Sequence, residues 1–236
     1  MVKLFAHRGF TFRTYPAHHS RDYGQVLTKA EQNTIASLKN AILAKFRAVE
    51  FDIWFFDEKL VLKHDKPEIS ELNNLPILKD YFIYGNDLEY WLDFKNLDEK
   101  NISKVLNLVK EEIDLAKINL EKIYFAPFIT EYEKVIKIFS KIRNLFGEKV
   151  NLVAVCEELK NNEDIEKLKN FLNENNIKFL SIFHKLLNEN FVKEFNKIEF
   201  FAWTVNDLER VFELEKLGIK NFATDNITPQ IYDEKS

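Results

Sequence analysis

Cysteine, methionine, glycine and proline are all scarce in this chain: one, one, five and five in 236 residues. Cys156 alone cannot form an internal disulfide, which fits a reducing compartment and leaves that thiol as inert packing at a strand end. No apolar run approaches the ~20 residues needed to cross a bilayer, so no integral membrane segment is expected, although peripheral contact stays open. Positive charge is also short. A net charge of −4 argues against a nucleic-acid-binding surface. The chain enters Val2-Lys3-Leu4-Phe5-Ala6 directly and reaches His7, leaving no room for a removable leader; a soluble cytoplasmic protein is the expectation.

Large rings are abundant, with 22 phenylalanines against five glycines, and 46% of the residues are hydrophobic. A chain of this length can bury a substantial core as one domain, residues 1–236, and no repeat, low-complexity tract or linker divides it. Apolar runs of strand length recur at Val2–Ala6, Ala48–Phe55, Glu89–Phe94, Ile123–Ala126, Val150–Val155, Phe179–Phe183, Phe200–Trp203 and Asn221–Ala223. Helical periods fall between them at Asn33–Ala44, Ile102–Ala116, Glu131–Leu145, Asp164–Asn173, Asn188–Phe195 and Leu208–Leu217, several starting after Asn, Thr or Asp. Leu60-Val61-Leu62 reads as a hairpin partner of the second strand, turned at Asp57-Glu58-Lys59, and Leu75–Tyr84 as a short further element. Eight strands alternating with helices predict an α/β fold, a single-domain (β/α)8 TIM barrel with a β-hairpin after the second strand. Its site belongs at the C-terminal ends of the strands, where His7, Asp93, His184, Asn206 and Asp225 fall.

Three short segments carry chemistry: Ala6-His7-Arg8-Gly9, Glu50-Phe51-Asp52 and His64-Asp65, each within or at the end of an apolar run. Carboxylates two apart in a strand share a face, so Glu50 and Asp52 can hold one hard cation. Histidine as a residue type titrates near neutrality, so His7 and His64 could exchange protons with entering and leaving oxygens. Arg8 offers a fork of donors suited to phosphate. This is an inventory for cleaving a phosphodiester, and charged groups inside apolar strands are costly unless they are used. The long stretch from Phe10 to Ala30 contains Arg13, His18, His19, Arg21 and two tyrosines. There Arg13 and Arg21 are candidates for an additional anionic or ring-bearing part of a substrate, or belong to a solvated loop. His18-His19 lacks acidic partners at metal-ligand spacing. His184 is either a structural group or a mouth residue, and Lys104 and Lys110 read as solvated surface.

Taken in order, the segments resemble the glycerophosphodiester phosphodiesterase family, from His7 through Thr224-Asp225. His7-Arg8-Gly9, Asn33-Thr34 followed by Glu50-Phe51-Asp52, His64-Asp65, Asp93-Phe94-Lys95, Ala202 to Asp207 and Gly218 to Asp225 are similar to the family's motifs. The resemblance implies a Mg²⁺- or Ca²⁺-dependent phosphodiesterase acting on a small-molecule diester. His7 and His64 would be acid and base, Glu50, Asp52 and Asp93 metal ligands, and Arg8 and Lys95 phosphate-binding. Trp203, by its matching position, would stack on the substrate or simply close the barrel. Gln32 stands where the family usually has glutamate. Asp93 replaces the more usual glutamate, as in sphingomyelinase-D-like enzymes, and the hairpin is one residue short. Only Lys66 to Asp87 separates His64-Asp65 from the next strand, without the usual large family insertion, so a glycerol preference has little support. Three functions stay open: hydrolysis, a lyase or transferase reaction giving a cyclic phosphate or a new diester, and non-catalytic binding of a phosphorylated ligand.

Overall fold

The computed structural model describes residues 2–11, 31–85, 87–129 and 131–236. Among these residues nine strands form one sheet: β1 Lys3–His7, β2 Ala48–Phe56, β3 Lys59–Leu62, β4 Glu89–Phe94, β5 Ile123–Pro127, β6 Asn151–Cys156, β7 Phe179–Phe183, β8 Glu199–Trp203 and β9 Asn221–Thr224. All but β3 are parallel, and the sheet closes through β1, which pairs with both β2 and β9. β3 is antiparallel to β2 and stands outside the closed ring. Around it, the described residues form α1 Ile35–Leu43, α2 Leu78–Tyr84, α3 Ile102–Ala116, α4 Tyr132–Phe146, α5 Asn162–Glu174, α6 Glu189–Glu194, α7 Leu208–Lys216 and α8 Pro229–Lys235. The expected (β/α)8 barrel is therefore the fold, and among the described residues no helix is long and apolar enough to cross a membrane.

Side chains alternate across each strand, and this period of two sorts the sequence into two cores. Leu4 and Ala6, Phe51 and Ile53, Tyr90, Leu92 and Phe94 face outward onto the helices. α3 meets them with Ile102, Val105, Leu106, Val109 and Ile113, one helical face. The intervening residues face the barrel axis, where Phe5, Trp91, Tyr124, Phe179 and Phe201 form a ring cluster. Phe201 is its hub, with ring centroids 5.5 Å from Phe5, 5.2 Å from Trp91, 4.9 Å from Tyr124 and 5.8 Å from Phe179. Below this layer Lys3 pairs with Glu89, and Asn221 Nδ2 donates to Glu199 Oε1 at 2.7 Å, so the N-terminal end of the barrel is filled.

Helix starts follow local chemistry. Thr34, Asn161, Asn188, Asp207 and Thr228 each accept a first-turn amide with their side chains. α1 begins later than expected, because Asn33 has a positive φ of 57° and turns its side chain into the barrel mouth. α8 was not expected, although Thr228 as cap with Pro229 at the first helical position is a start signal. The hairpin turn comprises only Asp57 and Glu58, both with positive φ (46° and 63°), and Lys59 is already paired with Phe56 in β3. This two-residue turn of the primed type keeps the strands in register despite its shortness.

Replacing Phe201 by alanine removes the ring that four others pack on, and should destabilise the barrel by about 3–5 kcal/mol in urea denaturation. A loss below about 1 kcal/mol would mean that the inner layer does not carry the barrel.

Candidate active site at the barrel mouth

The inward parity that places Phe5 and Trp91 in the barrel floor places His7 and Asp93 one step above them. In the parallel registers His7 lies beside Glu50 and Asp52 beside Asp93, so three strands deliver four functional groups to one rim. They surround a cavity of ≈ 100 Å³, which Arg8, His64, Lys95, Trp91 and Trp203 also border. Thus His7, Arg8, Glu50, Asp52, His64, Asp93, Lys95 and Trp203 are brought together. His184 is not in this group. Phe179 and Ser181 face the axis, so His184 falls on the opposite parity; there it opens a 3₁₀ turn and its carbonyl accepts from Arg210 Nη2 at 2.9 Å. Arg13, Arg21 and His18-His19 lie outside the described residues.

Asp52 is the most enclosed acid. Arg8 Nε lies 3.0 Å from one of its oxygens and Lys95 Nζ 2.8 Å from the other, while Asn33 Nδ2 donates at 2.8 Å. Asn33 also accepts the Asp52 backbone N–H through Oδ1 at 3.1 Å. Burial pushes the Asp52 carboxyl up, but Lys95, Arg8 and Asn33 outweigh it and hold the group below the ordinary aspartate value. Lys95 also reaches Asp93 Oδ2 at 2.6 Å. Burial, opposed by Lys95 but reinforced by Asp52 and Glu50, pushes Asp93 up to about 7. Glu50 is raised as well, by burial and by Asp52.

The turn after β1 depends on a glycine. Gly9 has φ of +74°, and a Cβ there would meet the Ser37 backbone at 2.9 Å as well as its hydroxyl. Ser37 belongs to the capping box of α1 and donates to the Arg8 carbonyl, so this close approach locks the turn to the helix start. The turn directs the Arg8 amide at Glu50 Oε2, 3.0 Å away, and Arg8 Nη1 at Gln32 Oε1, 3.2 Å away. Gln32 therefore supplies a neutral acceptor to Arg8.

Each histidine is tethered by Nδ1 to a carboxylate: His7 to Asp225 Oδ1 at 2.8 Å, and His64 to Asp65 Oδ1 at 2.9 Å. An ionised carboxylate only accepts, so Nδ1 carries the proton in both rings and Nε2 is left for chemistry. His7 Nε2 lies 3.7 Å from Glu50. Burial lowers the His7 pKa, yet Glu50 and Asp225 together raise it overall. Asp225 is itself held by Asn206, whose Nδ2 donates to Oδ2 at 2.8 Å while its Oδ1 accepts the Asp225 amide at 2.7 Å. Asn206 and Asp225 were expected at the strand ends and Asn33 in a family-like segment, but the sequence assigned none of the three a role.

Glu50, Asp52 and Asp93 each offer a ligand oxygen within 4.8 Å of the others, and Asp93 Oδ1 is buried with no hydrogen-bond partner among the described residues. An all-oxygen donor set of this kind fits a hard divalent cation. Trp91 and Trp203 add buried indole N–H groups that also lack an acceptor among the described residues.

No family model and no curated sequence matches the chain. Among its structural neighbours over the full length are several described as glycerophosphodiester phosphodiesterases. One from Parabacteroides distasonis superposes with a TM-score of 0.70 at 20% identity, covering 99% of this chain and 95% of its own. An Oleispira antarctica phosphodiesterase, solved with the product sn-glycerol 3-phosphate, gives 0.72 at 16% identity, covering 98% and 95%. A calcium-dependent phosphoinositol-specific phospholipase C from Pseudomonas sp. gives 0.55 at 11% identity, covering 94% and 87%. At these identities the likeness is one of fold.

The Lys95 ammonium offsets two buried carboxylates, so Lys95→Met should cost about 3–5 kcal/mol in denaturation with chelator present. Millimolar Mg²⁺ or Ca²⁺ should recover much of that loss, because a cation then faces the same oxygens. An equal deficit with and without divalent ions would speak against a cation site here.

Proposed function

We propose that this protein is a divalent-metal-dependent phosphodiesterase that hydrolyses a glycerophosphodiester, or a related small diester, to a phosphomonoester and an alcohol. The observation that carries this reading is the grouping of two carboxylate-tethered histidines, three carboxylates and two cationic side chains around one cavity at the barrel mouth. The neighbour with bound sn-glycerol 3-phosphate supports it, since a fold alone does not specify a reaction.

Hydrolysis moves two protons. A water oxygen attacks phosphorus and gives up one proton, while the breaking P–O bond leaves an alkoxide that takes another. His7 and His64 are the acid and base, each presenting Nε2 because its Nδ1–H is committed to an aspartate. Asn206 and Asp225 act behind His7 as positioning residues. Glu50, Asp52 and Asp93 would hold Mg²⁺ or Ca²⁺, which would supply positive charge to the phosphoryl oxygens. Arg8 and Lys95, which face Asp52 at the cavity, add cationic donors for the phosphate. Trp203 walls the cavity and offers its indole N–H to a substrate oxygen.

His7→Ala and His64→Ala should each lower turnover by about 10²-fold or more. Chelator should abolish activity and Mg²⁺ or Ca²⁺ restore it, whereas turnover indifferent to chelator would contradict the metal assignment. Phosphorus NMR of the product should show a phosphomonoester. A cyclic phosphate that persists would replace hydrolysis by a lyase reaction.

A further inference from the structure

Tyr81 is a buried polar side chain that reaches the barrel mouth only through other residues. It sits on α2, in the short connection after the hairpin, and is fully buried. Its ring centroid lies 4.8 Å from that of Phe51, the residue between Glu50 and Asp52. Its hydroxyl crosses to the start of α1, donating to the Thr34 carbonyl at 2.8 Å and lying 3.3 Å from Ser37 Oγ. Burial raises the phenol pKa, so the hydroxyl keeps the proton it donates.

The hydroxyl matters because donors are scarce at this cap. Ser37 Oγ has one proton and two carbonyls within reach, Thr34 at 2.8 Å and Arg8 at 3.2 Å. Thr34 already accepts the Leu38 amide at 3.0 Å, so with Tyr81 both of its lone pairs are filled and the Ser37 proton is left for the Arg8 carbonyl. Without Tyr81 the nearer carbonyl would take it.

The Arg8 carbonyl is the junction through which this choice reaches the site. It also accepts the Asn33 amide at 2.8 Å, and Arg8 and Asn33 both have left-handed backbone, with φ of 54° and 57°. Residues other than glycine keep that conformation where surrounding bonds determine it. From these two residues Arg8 Nε and Asn33 Nδ2 converge on the same oxygen, Asp52 Oδ2, at 3.0 and 2.8 Å, while the Arg8 amide holds Glu50.

We propose that Tyr81 is a positioning residue of the metal site: its hydroxyl commits the Ser37 proton to the Arg8 carbonyl, and thereby fixes the Arg8 and Asn33 side chains that hold Asp52. This rests on the metal-dependent reading above and adds to it what sets the ligand frame from outside the cavity.

Tyr81→Phe keeps the ring and deletes the hydroxyl. Tyr90→Phe is its control, because Tyr90 is as deeply buried and packs on the same Phe51 ring, but donates to the Gly85 carbonyl at the C-terminal end of α2. In calorimetric titration of the full chain with Mg²⁺ or Ca²⁺, Tyr81→Phe should raise Kd by about tenfold and Tyr90→Phe by less than about twofold. Ser37→Ala should reproduce the rise, and adding Tyr81→Phe to it should raise Kd no further, since both act through one proton. An unchanged Kd in Tyr81→Phe or in Ser37→Ala, equal rises in the two tyrosine variants, or additive rises in the double variant overturn the proposal while leaving the phosphodiesterase reading intact. Should the wild type bind neither ion, the metal assignment fails instead, and exchange of the Asn33 side-chain amide protons, followed by NMR, decides this proposal separately. Exchange about tenfold faster in Tyr81→Phe than in the wild type and in Tyr90→Phe supports it, and equal exchange in all three removes it.

Discussion

The constraint on which the rest of the molecule depends is the ionised Asp52 carboxylate in a nearly dry barrel mouth. An isolated buried carboxylate would take up a proton, because burial costs the charged form several kcal/mol. Asp52 stays charged because Arg8, Lys95 and Asn33 approach it from three different elements: the turn after β1, the end of β4 and the entry to α1. Its ionisation and the positions of three loops are therefore one fact. The balance is incomplete: among the described residues Arg8 and Lys95 are the permanent positive charges against Glu50, Asp52 and Asp93, and burial together with the crowding of acids raises the pKa values of Glu50 and Asp93. A divalent cation is the simplest complement to that excess.

Strand parity made much of this legible in the sequence, because it is a purely local property. Once Glu50 and Asp52 are assigned to one strand, their common face follows, and His7, Asp93 and Lys95 belong to the same alternation. Applied consistently, the same parity excludes His184 from the mouth, because Ser181 already points inward. Proximity to a strand end was too coarse a criterion there. What local pattern cannot reach is contact between distant strands. Asp225 meets His7 across 218 residues only because β9 closes the ring against β1. Asn33 reaches Asp52 only because its residue adopts a left-handed backbone just before α1, which a helical period starting at Asn33 conceals.

The shortened hairpin shows how a local departure is absorbed. One residue fewer between Asp52 and His64 would reverse the face of everything beyond if the turn kept its usual length. Instead Asp57 and Glu58 both adopt positive φ and close a two-residue turn, and the Lys63 amide returns to the Asp52 carbonyl at 3.3 Å. Val61 then bridges to Ile77, and the Leu62 amide bonds to the Pro76 carbonyl at 2.9 Å. The short connection to β4 is thereby folded back onto the hairpin strand that ends just before His64.

The two ends of the barrel have opposite electrostatic designs, and the difference accounts for where reactivity lies. At the N-terminal end Lys3 meets Glu89 and Tyr124, and Asn221 meets Glu199, so charged and polar groups find matched partners above which the aromatic layer closes. At the C-terminal end, among the described residues, the acids around the cavity outnumber the cations, and Asp93 Oδ1 and two indole N–H groups are left without partners. Unsatisfied buried polar atoms cost stability, typically about 1–3 kcal/mol each. A barrel can tolerate several of them only if its stability is secured elsewhere, and here the interlocked rings of Phe5, Trp91, Tyr124 and Phe201 supply it directly beneath. Trp91 belongs to both systems, with its ring packed in the floor and its N–H at the cavity. The packed floor and the unmet polarity of the mouth are thus joined through a single side chain, which ties the reactive rim to the ring-filled layer beneath it.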